Sequence, residues 1–440
     1  MATAMETEIN MLSDDLVRLI LMQVDVATLF RCAATCNLWR RLIAEPSFLR
    51  RYPWPPPLAG FFAQQRHQLL PGFNNVSCCS GLLTFLPSFG SSSSPRVLGR
   101  RLSSFFRDAA IDDLLLDRAL PLASHSGLLL LRLGGPNEQV VRLAVCDILA
   151  GACHVLPGLD CHGRTGFSFF EPSGCAIVPD DPANAAFRVL MIGMDKHELQ
   201  FNLHVFSFSG GGAERSSSWS APIKCLDMIE HKVCLLEHES AVVCNGTAHW
   251  LFGGWRDEDG YFFHVLGVDP AADDRDGRPR VTLTKLVRPN KQEEGRGTEV
   301  RLYDADHLIT TAAARAPSSG TKTALSRCLS LCVYRHEGHK LEIWTPGDDA
   351  AAADVWVRTR VVELEQMVRR LGRPTCVHLG EKSGMLLAVH DRRGRRMYIA
   401  DLETEAMEEE VTEHFAGFSR FVPMEIDWPA FFASRLGGRF

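Results

Sequence analysis

A degenerate repeat of short apolar runs covers most of the chain and limits the folds open to it. Each copy begins with a small residue and an apolar run, passes through a turn into a second apolar run, and ends in polar residues. Copies begin near Gly81, Gly127, Gly246, Ser330 and Gly384. Short strand-forming runs separated by Ser-, Gly- and Asp-rich segments predict an all-β body from about residue 73 onward.

The spacing of the copies, roughly 45 to 60 residues, is typical of one four-stranded blade of a β-propeller. We therefore predict that residues 73–440 form a propeller of six to eight blades. Ring closure would remove the exposed strand edges that a long all-β chain otherwise carries. β-Sandwich-type domains are the alternative fold.

The stretch from Ile9 to Arg51 has a helical periodicity instead. Ser13 is suited to cap a helix, and apolar residues then recur every three or four positions. A second helical pattern runs from Leu29 to Ile43 and ends before Pro46. Because roughly 40 residues bury their own apolar surface poorly, we expect this module to complete its core against the rest of the chain or another protein.

Residues 9–51 resemble an F-box. The matching positions are Leu12, Asp14, Asp15, Leu16, Ile20, Leu21, Leu29, Arg31, Cys32, Cys36, Trp39, Arg40, Leu42, Ile43, Pro46 and Phe48. Ser13 replaces the usual proline, and Asn37 and Leu38 replace the lysine before the Trp-Arg pair. The resemblance implies docking on a Skp-type adaptor and, through it, a cullin. The adaptor-binding residues that it implies are Leu12, Leu16, Ile20, Leu29, Cys36, Trp39 and Leu42.

The strand pairs of the body resemble the F-box-associated β domains of plant F-box proteins. The similar segments are Asn245–Leu251, Leu341–Trp344 and Tyr398–Thr404, and the tail Glu425–Pro429 is similar to that of cereal members. This resemblance implies a non-catalytic substrate-recognition subunit of an SCF-type ubiquitin ligase. Two rival hypotheses are a propeller that binds protein or a small ligand without proteolysis, and an enzyme with an unrecognised site that the helices cap.

The segment between module and body, residues 52–72, reads as a linker. Tyr52–Pro57 holds four prolines and predicts a stiff, extended spacer. Phe61 to Leu70 is expected to form one short helix leading into the body.

Two groups of residues are candidates for a substrate-binding face. Four arginines, Arg392, Arg393, Arg395 and Arg396, surround Gly394 on an expected hairpin turn. Arginine clusters bind phosphate or acidic peptide through bidentate hydrogen bonds, although such a turn can also simply be solvated. Trp255 and Tyr261 could likewise line a binding face, or only cover blade ends.

Composition narrows the remaining classes of function. A net charge of -6 argues against nucleic-acid binding as the main role. No apolar run is long enough to span a membrane, and the start has no secretory signal. Fourteen cysteines in such a chain point to reduced thiols in cytoplasm or nucleus. We find no motif for a catalytic, metal or cofactor site. His336 and His339 look like part of a zinc-protease motif, but they lack the spacing that sets two histidines on one helical face.

Overall fold

The structure, a computed structural model, divides into two compact units. One contains residues Met1–Pro57 and Ile426–Phe440, and the other contains Leu58–Glu425. The residues that the structure describes are 12–54, 58–65, 82–87, 100–106, 111–134, 140–148, 151–160, 170–181, 186–195, 197–209, 218–231, 233–235, 241–244, 246–256, 260–273, 278–286, 307–311, 329–335, 340–346, 356–365, 374–379, 385–390, 396–401, 407–411 and 418–436. We call the two units the helical unit and the body.

Between Leu12 and Trp54 the described residues of the helical unit form four short helices, which are α1 (Asp14–Leu21), α2 (Val26–Thr35), α3 (Asn37–Ala44) and α4 (Pro46–Arg51). Side chains cap the first three. The Ser13 hydroxyl accepts from the Leu16 amide, the Asp25 carboxylate from Thr28, and the Cys36 thiol from Trp39. Cys36 has an extended backbone, which divides the second helical pattern into α2 and α3.

A fifth helix, Trp428–Leu436, belongs to the same unit, and we call it the C-terminal helix. It contacts α3 and α4. The core of the unit is formed by Val17, Leu21, Leu29, Ala33, Leu42, Ile43, Phe48, Leu49, Tyr52 and Phe432. The Tyr52 hydroxyl donates to the carbonyl of Val24, which ties the end of the F-box stretch back to the loop before α2.

The body is built of strands, of which the first twelve are β1 (Leu58–Gln65), β2 (Leu83–Pro87), β3 (Arg100–Arg101), β4 (Leu120–His125), β5 (Leu128–Leu133), β6 (Val140–Asp147), β7 (Ala152–Val155), β8 (Leu159–Asp160), β9 (Phe170–Asp181), β10 (Ala186–Asp195), β11 (Gln200–Phe208) and β12 (Ile223–Asp227). The later strands are β13 (Val233–Leu235), β14 (Val242–Cys244), β15 (Thr247–Arg256), β16 (Gly260–Asp273), β17 (Pro279–Leu286), β18 (His307–Thr311), β19 (Leu329–Arg335), β20 (Lys340–Pro346), β21 (Trp356–Glu363), β22 (Pro374–Leu379), β23 (Met385–His390), β24 (Arg396–Asp401), β25 (Met407–Val411) and β26 (Phe418–Glu425). Short helices at Leu102–Phe105, Asp113–Asp117 (α5) and Met228–His231 (α6) connect some of them.

The described strands form six sheets that follow one another along the chain. Their orders are β26-β1-β2-β3, β4-β5-β6-β7 with β8, β9 to β12, β13-β15-β16-β17 with β14, β18 to β21, and β22 to β25. Neighbouring strands are antiparallel throughout. This is the arrangement of propeller blades, so the predicted propeller-like fold is confirmed, and six sheets fall within the predicted range.

From the second sheet to the sixth, one strand of each sheet contacts one strand of the next. β4 contacts β9, β9 contacts β14, β14 contacts β18, and β18 contacts β22. Apolar side chains fill the space between the second and third sheets and between the third and fourth. One core joins the second and third sheets through residues such as Val145 and Val189, and another joins the third and fourth through Leu190 and Trp250.

The last strand of the body joins the first. β26 pairs with β1 along its length, with Phe62 opposite Val422 and Leu58 opposite Glu425. The chain therefore enters and leaves the body at one pair of facing residues. This pairing places both ends of the long β chain in one blade, which is the usual way to close a sheet ring without free edges.

Three expectations need correction. The short helix expected from Phe61 to Leu70 is wrong in its described part, because Leu58–Gln65 is a strand held between β2 and β26. The body consequently begins at Leu58, inside the expected linker, and residues 426–440 belong to the helical unit. Reduced thiols are contradicted at one pair, since Cys146 and Cys153 lie opposite each other on β6 and β7, with Cα atoms 4.1 Å apart, and form a disulfide.

Candidate functional site

The outer face of α1 is the most apolar exposed surface in the helical unit. Leu12, Leu16, Leu19 and Ile20 are 42%, 50%, 61% and 51% exposed. Helical spacing sets Leu16 and Ile20 in one row, with Leu12 just before the helix, while the side chains of Val17 and Leu21 are directed into the core and are buried. Such a group of large exposed aliphatic side chains on one short helix marks a binding surface.

Ion pairs hold α1 in place beneath this face. The Arg18 guanidinium donates to both carboxylate oxygens of Glu45, at 3.0 and 2.9 Å, and to Asp15 at 2.9 Å. One guanidinium nitrogen, Nη2, makes both contacts with Glu45, while Nη1 contacts Asp15, so a single arginine joins two carboxylates. Glu45 lies between α3 and α4, so this contact anchors α1 to the later part of the F-box stretch.

The structure divides the expected adaptor-binding residues into two groups. Leu12, Leu16, Ile20 and Cys36 are exposed, and Trp39 is half-buried against the core. Leu29 and Leu42, in contrast, are 0% exposed and belong to the core of the unit. Their assignment to an adaptor contact is corrected here, because α2 and α3 direct them inward, where they pack on Phe432 and its neighbours.

Two exposed residues were not among the expected contacts. Leu19 is the most exposed apolar side chain of α1, and Phe30, on α2, is 42% exposed. The sequence pattern lists Leu19 among the apolar positions of the helix but cannot tell which apolar residues remain outside. Phe30 follows Leu29 directly, so its side chain points away from the direction of the buried leucine, as helical geometry requires.

The candidate substrate-face residues lie at two hairpins of the body. Trp255 and Tyr261 are paired across the β15–β16 hairpin, and Arg396 opens β24 opposite His390. Arg392, Arg393 and Arg395 lie outside the described residues. Each hairpin joins the second strand of its sheet to the third, when the strands are counted from β14 in one sheet and from β22 in the other. Because antiparallel strands alternate in direction, such hairpins leave a propeller on the same face in every blade.

Burial lowers the pKa values of two histidines of the body. Burial lowers the pKa of His249, on β15, to about 4. Burial likewise lowers the pKa of His204, on β11, while its contact with the Ser220 carbonyl acts in the opposite direction. Burial raises the pKa of the Cys225 thiol to about 12.

Within the described ranges, no group of three or more His, Cys, Asp or Glu residues has the geometry to hold a metal ion.

The F-box domain family matches residues 9–51, which lie in the helical unit. Comparison of the sequence with curated proteins finds no match. Among the helices that the structure describes, none has the length and apolar composition needed to cross a bilayer.

Several solved structures are similar in part. An α-L-arabinofuranosidase from Fusarium graminearum is 8% identical, with a TM-score of 0.36 over 68% of this chain and 81% of that chain. A protein from Lactobacillus plantarum is 9% identical, with a TM-score of 0.36 over 83% and 99%. An α-L-arabinanase from Penicillium chrysogenum is 11% identical, with a TM-score of 0.33 over 80% and 93%. At these TM-scores the likenesses carry no argument about fold or activity.

Proposed function

We propose that this chain is the substrate-recognition subunit of an SCF-type cullin–RING ubiquitin ligase. Its α1 face would dock a Skp-type adaptor, and through the adaptor a cullin, while the body would bind a target protein. The observation that carries the proposal is the row of exposed aliphatic side chains, Leu12, Leu16, Leu19 and Ile20, within the segment that matches the F-box domain. The ligase complex would act in the cytoplasm or the nucleus.

Burial of apolar area supplies the binding energy for docking. A large aliphatic side chain contributes roughly 1.5–3 kcal/mol when it passes from full exposure to full burial. The four side chains of the α1 face begin about half exposed, so each would contribute part of that amount. Their sum must exceed the entropy lost on association, which is why a compact group of them, on a helix held by Arg18 and Glu45, is favourable.

The role of the chain in ubiquitin transfer would be positioning. The body would hold a target near the ubiquitin-conjugating partner, and proximity would raise the rate of a reaction whose reacting groups lie on other subunits. The body face that carries the hairpins of Trp255, Tyr261 and Arg396 is our candidate for the target-binding face. Its support is that arginine and aromatic side chains are the residue types that dominate protein-binding surfaces.

Co-purification of the full chain with a Skp-type adaptor tests docking. We expect a stoichiometric complex with the wild-type chain, and a loss of affinity of at least about 100-fold in Leu16→Asp or Ile20→Asp, because a carboxylate would be buried without a partner. Leu114→Asp, at a similarly exposed leucine on α5, is the matched control and should bind normally. A folded wild-type chain that fails to bind the adaptor would contradict the proposal.

A further inference from the structure

The C-terminal helix completes the core of the helical unit. Its residue Phe432 is 0% exposed and lies in the same core as Leu21, Leu29 and Leu42. The Phe432 ring lies 4.9 Å from the Trp54 ring and 5.8 Å from the Phe30 ring, measured between centroids. A side chain of the C-terminal helix thus lies in the core that the residues of the F-box stretch form.

Further aromatic contacts continue along the same helix. Phe431 stacks on Phe30 at 6.2 Å and meets Trp428 edge-on at 6.5 Å. Trp428, Phe431 and Leu436 are partly buried against the core. The first helical hydrogen bond joins the Phe431 amide to the Asp427 carbonyl, so the helix begins directly after β26, which ends at Glu425. The helix is therefore bound to the unit through a face of three aromatic rings and a leucine.

The matched F-box segment is too small to bury these side chains alone. Roughly 40 residues give a poor ratio of buried volume to surface, and units of this size usually need an additional partner. Without the C-terminal helix, Phe30 and Trp54 would lose ring contacts, and the core around Leu29, Leu42 and Ile43 would lose its Phe432 neighbour. The helix also contacts α3 and α4, which flank Glu45, the residue that anchors α1 through Arg18.

We infer that the adaptor-docking site of this chain is bipartite: the F-box stretch becomes competent to bind only when the C-terminal helix, with Phe432 at its centre, occupies the core. The inference rests on the proposed adaptor docking and adds that the last helix of the chain is required for it. Phe432 is a positioning residue. It lies in one core with residues of α1, α2 and α3, and it is fully buried, so an adaptor cannot contact it directly. The partner that binds this site is the same Skp-type adaptor.

The test uses the full-length chain with Phe432→Ala, the conservative variant Phe432→Leu, and Ala433→Gln as the control at an exposed position of the same helix. Two quantities are measured: hydrogen exchange of amides in each unit, and affinity for a Skp-type adaptor. In Phe432→Ala we expect amides of α1 to α3 to exchange at least tenfold faster and adaptor affinity to fall at least tenfold. Amides of β15 should exchange as in the wild type. Phe432→Leu should recover most of both losses, and Ala433→Gln should change neither.

The outcomes separate this inference from the proposed function. If Phe432→Ala binds the adaptor with wild-type affinity, or leaves exchange in α1 to α3 unchanged, the bipartite site is wrong while adaptor docking stands. If the wild-type chain binds no adaptor, the proposed function fails, and with it the docking half of this inference. Exchange in the helical unit would then still show whether Phe432 completes its core. Loss of protection in β15 of Phe432→Ala would mean general misfolding and would overturn the assignment of Phe432 to the helical unit alone.

Discussion

The two units treat their apolar residues differently. The helical unit leaves five large apolar side chains exposed between Leu12 and Phe30, four of them on or beside α1. The described part of the body exposes such residues only at scattered positions, such as Leu114, Val155 and Val361, while its second, third and fourth sheets bury apolar side chains against one another. The described part of the body therefore covers most of its own large apolar side chains, whereas the helical unit leaves one apolar face exposed, where a partner can bind.

Size and topology explain the difference. The described strands of the body form six sheets, which is enough to cover the faces of neighbouring sheets and to pair the last strand with the first. A small group of short helices cannot do this, because each helix has an apolar stripe and few neighbours to cover it. The helical unit recruits the C-terminal helix for its core and still retains the exposed row on α1.

The largest effect that would separate the units is expected from the body. Trp250 is 1% exposed on β15 and packs in the core between the third and fourth sheets. Trp250→Ala should lower the free energy of unfolding of the body by about 3–5 kcal/mol, through lost burial and a cavity. Hydrogen exchange should show this loss in β15 and its neighbours, with the exchange of α1 to α3 unchanged.

Trp250→Phe is the matched control for that substitution. Within the described structure the buried indole nitrogen of Trp250 donates no hydrogen bond. Removing it therefore leaves no acceptor unpaired, and phenylalanine retains most of the apolar volume. A cost in Trp250→Phe as large as in Trp250→Ala would contradict the role of Trp250 as a volume-filling core residue.

A smaller effect is expected from two leucines of the helical unit. Leu29→Ala should destabilise that unit by about 2–5 kcal/mol, since Leu29 is fully buried, while Leu19→Ala should stay within about 0.5 kcal/mol. Leu19→Ala should nevertheless lower adaptor affinity, although the fold is retained, because Leu19 is exposed on α1. Exchange protection and adaptor binding measured on the same two proteins check both halves. A stable Leu29→Ala unit would undo the distinction between its inner and outer leucines.

The smallest effect concerns pH. All sixteen histidines lie in the body, and the pKa of His249 is lowered to about 4 by burial. A histidine whose folded-state pKa lies below its unfolded value of about 6.5 contributes its full stability above pH 6.5 and loses it as pH falls toward 4. Between pH 7 and pH 5 the body should lose about 2 kcal/mol from His249, and His204 adds in the same direction.

The helical unit provides the internal control for this prediction, because residues 1–57 and 426–440 contain no histidine. Its exchange protection should stay level over the same pH interval. His249→Phe should flatten the pH dependence of the stability of the body, because phenylalanine cannot bind a proton. Equal acid sensitivity of both units, or an unchanged slope in His249→Phe, would show that another group controls the response.

Much of the body could be predicted from the sequence. The repeat copies that begin near Gly127, Gly246, Ser330 and Gly384 correspond to β5 with β6, β15 with β16, β19 with β20, and β23 with β24. These are the second and third strands of their blades, which are rich in strand-forming residues and joined locally. Other strands, such as the 12-residue β9, were not identified in the repeat, although they pair within their own sheets. Leu58–Gln65 was mistaken for part of a linker and helix, because one of its partners, β26, lies at the other end of the body in the sequence.

The candidate site was predicted in part. The capping by Ser13, the helical period and the F-box match depend only on neighbouring residues, so they could be read from residues 9–51. Which leucines remain outside could not. Leu16 and Leu29 both fit the apolar pattern, and only packing distinguishes the half-exposed Leu16 from the buried Leu29.

What the sequence by itself determined is therefore local: a helical module at the start, repeated strand pairs after it, and the residue types that each can present. The tertiary structure alone decided the long-range matters, which are the pairing of β26 with β1, the placement of Phe432 in the core of the F-box stretch, and the division of its leucines between core and surface. The physical reason is that periodicity records which side chains avoid water. Which residues cover those side chains depends on the folded chain, and for β1 and the core around Leu29 they include β26 and Phe432, which lie hundreds of positions away.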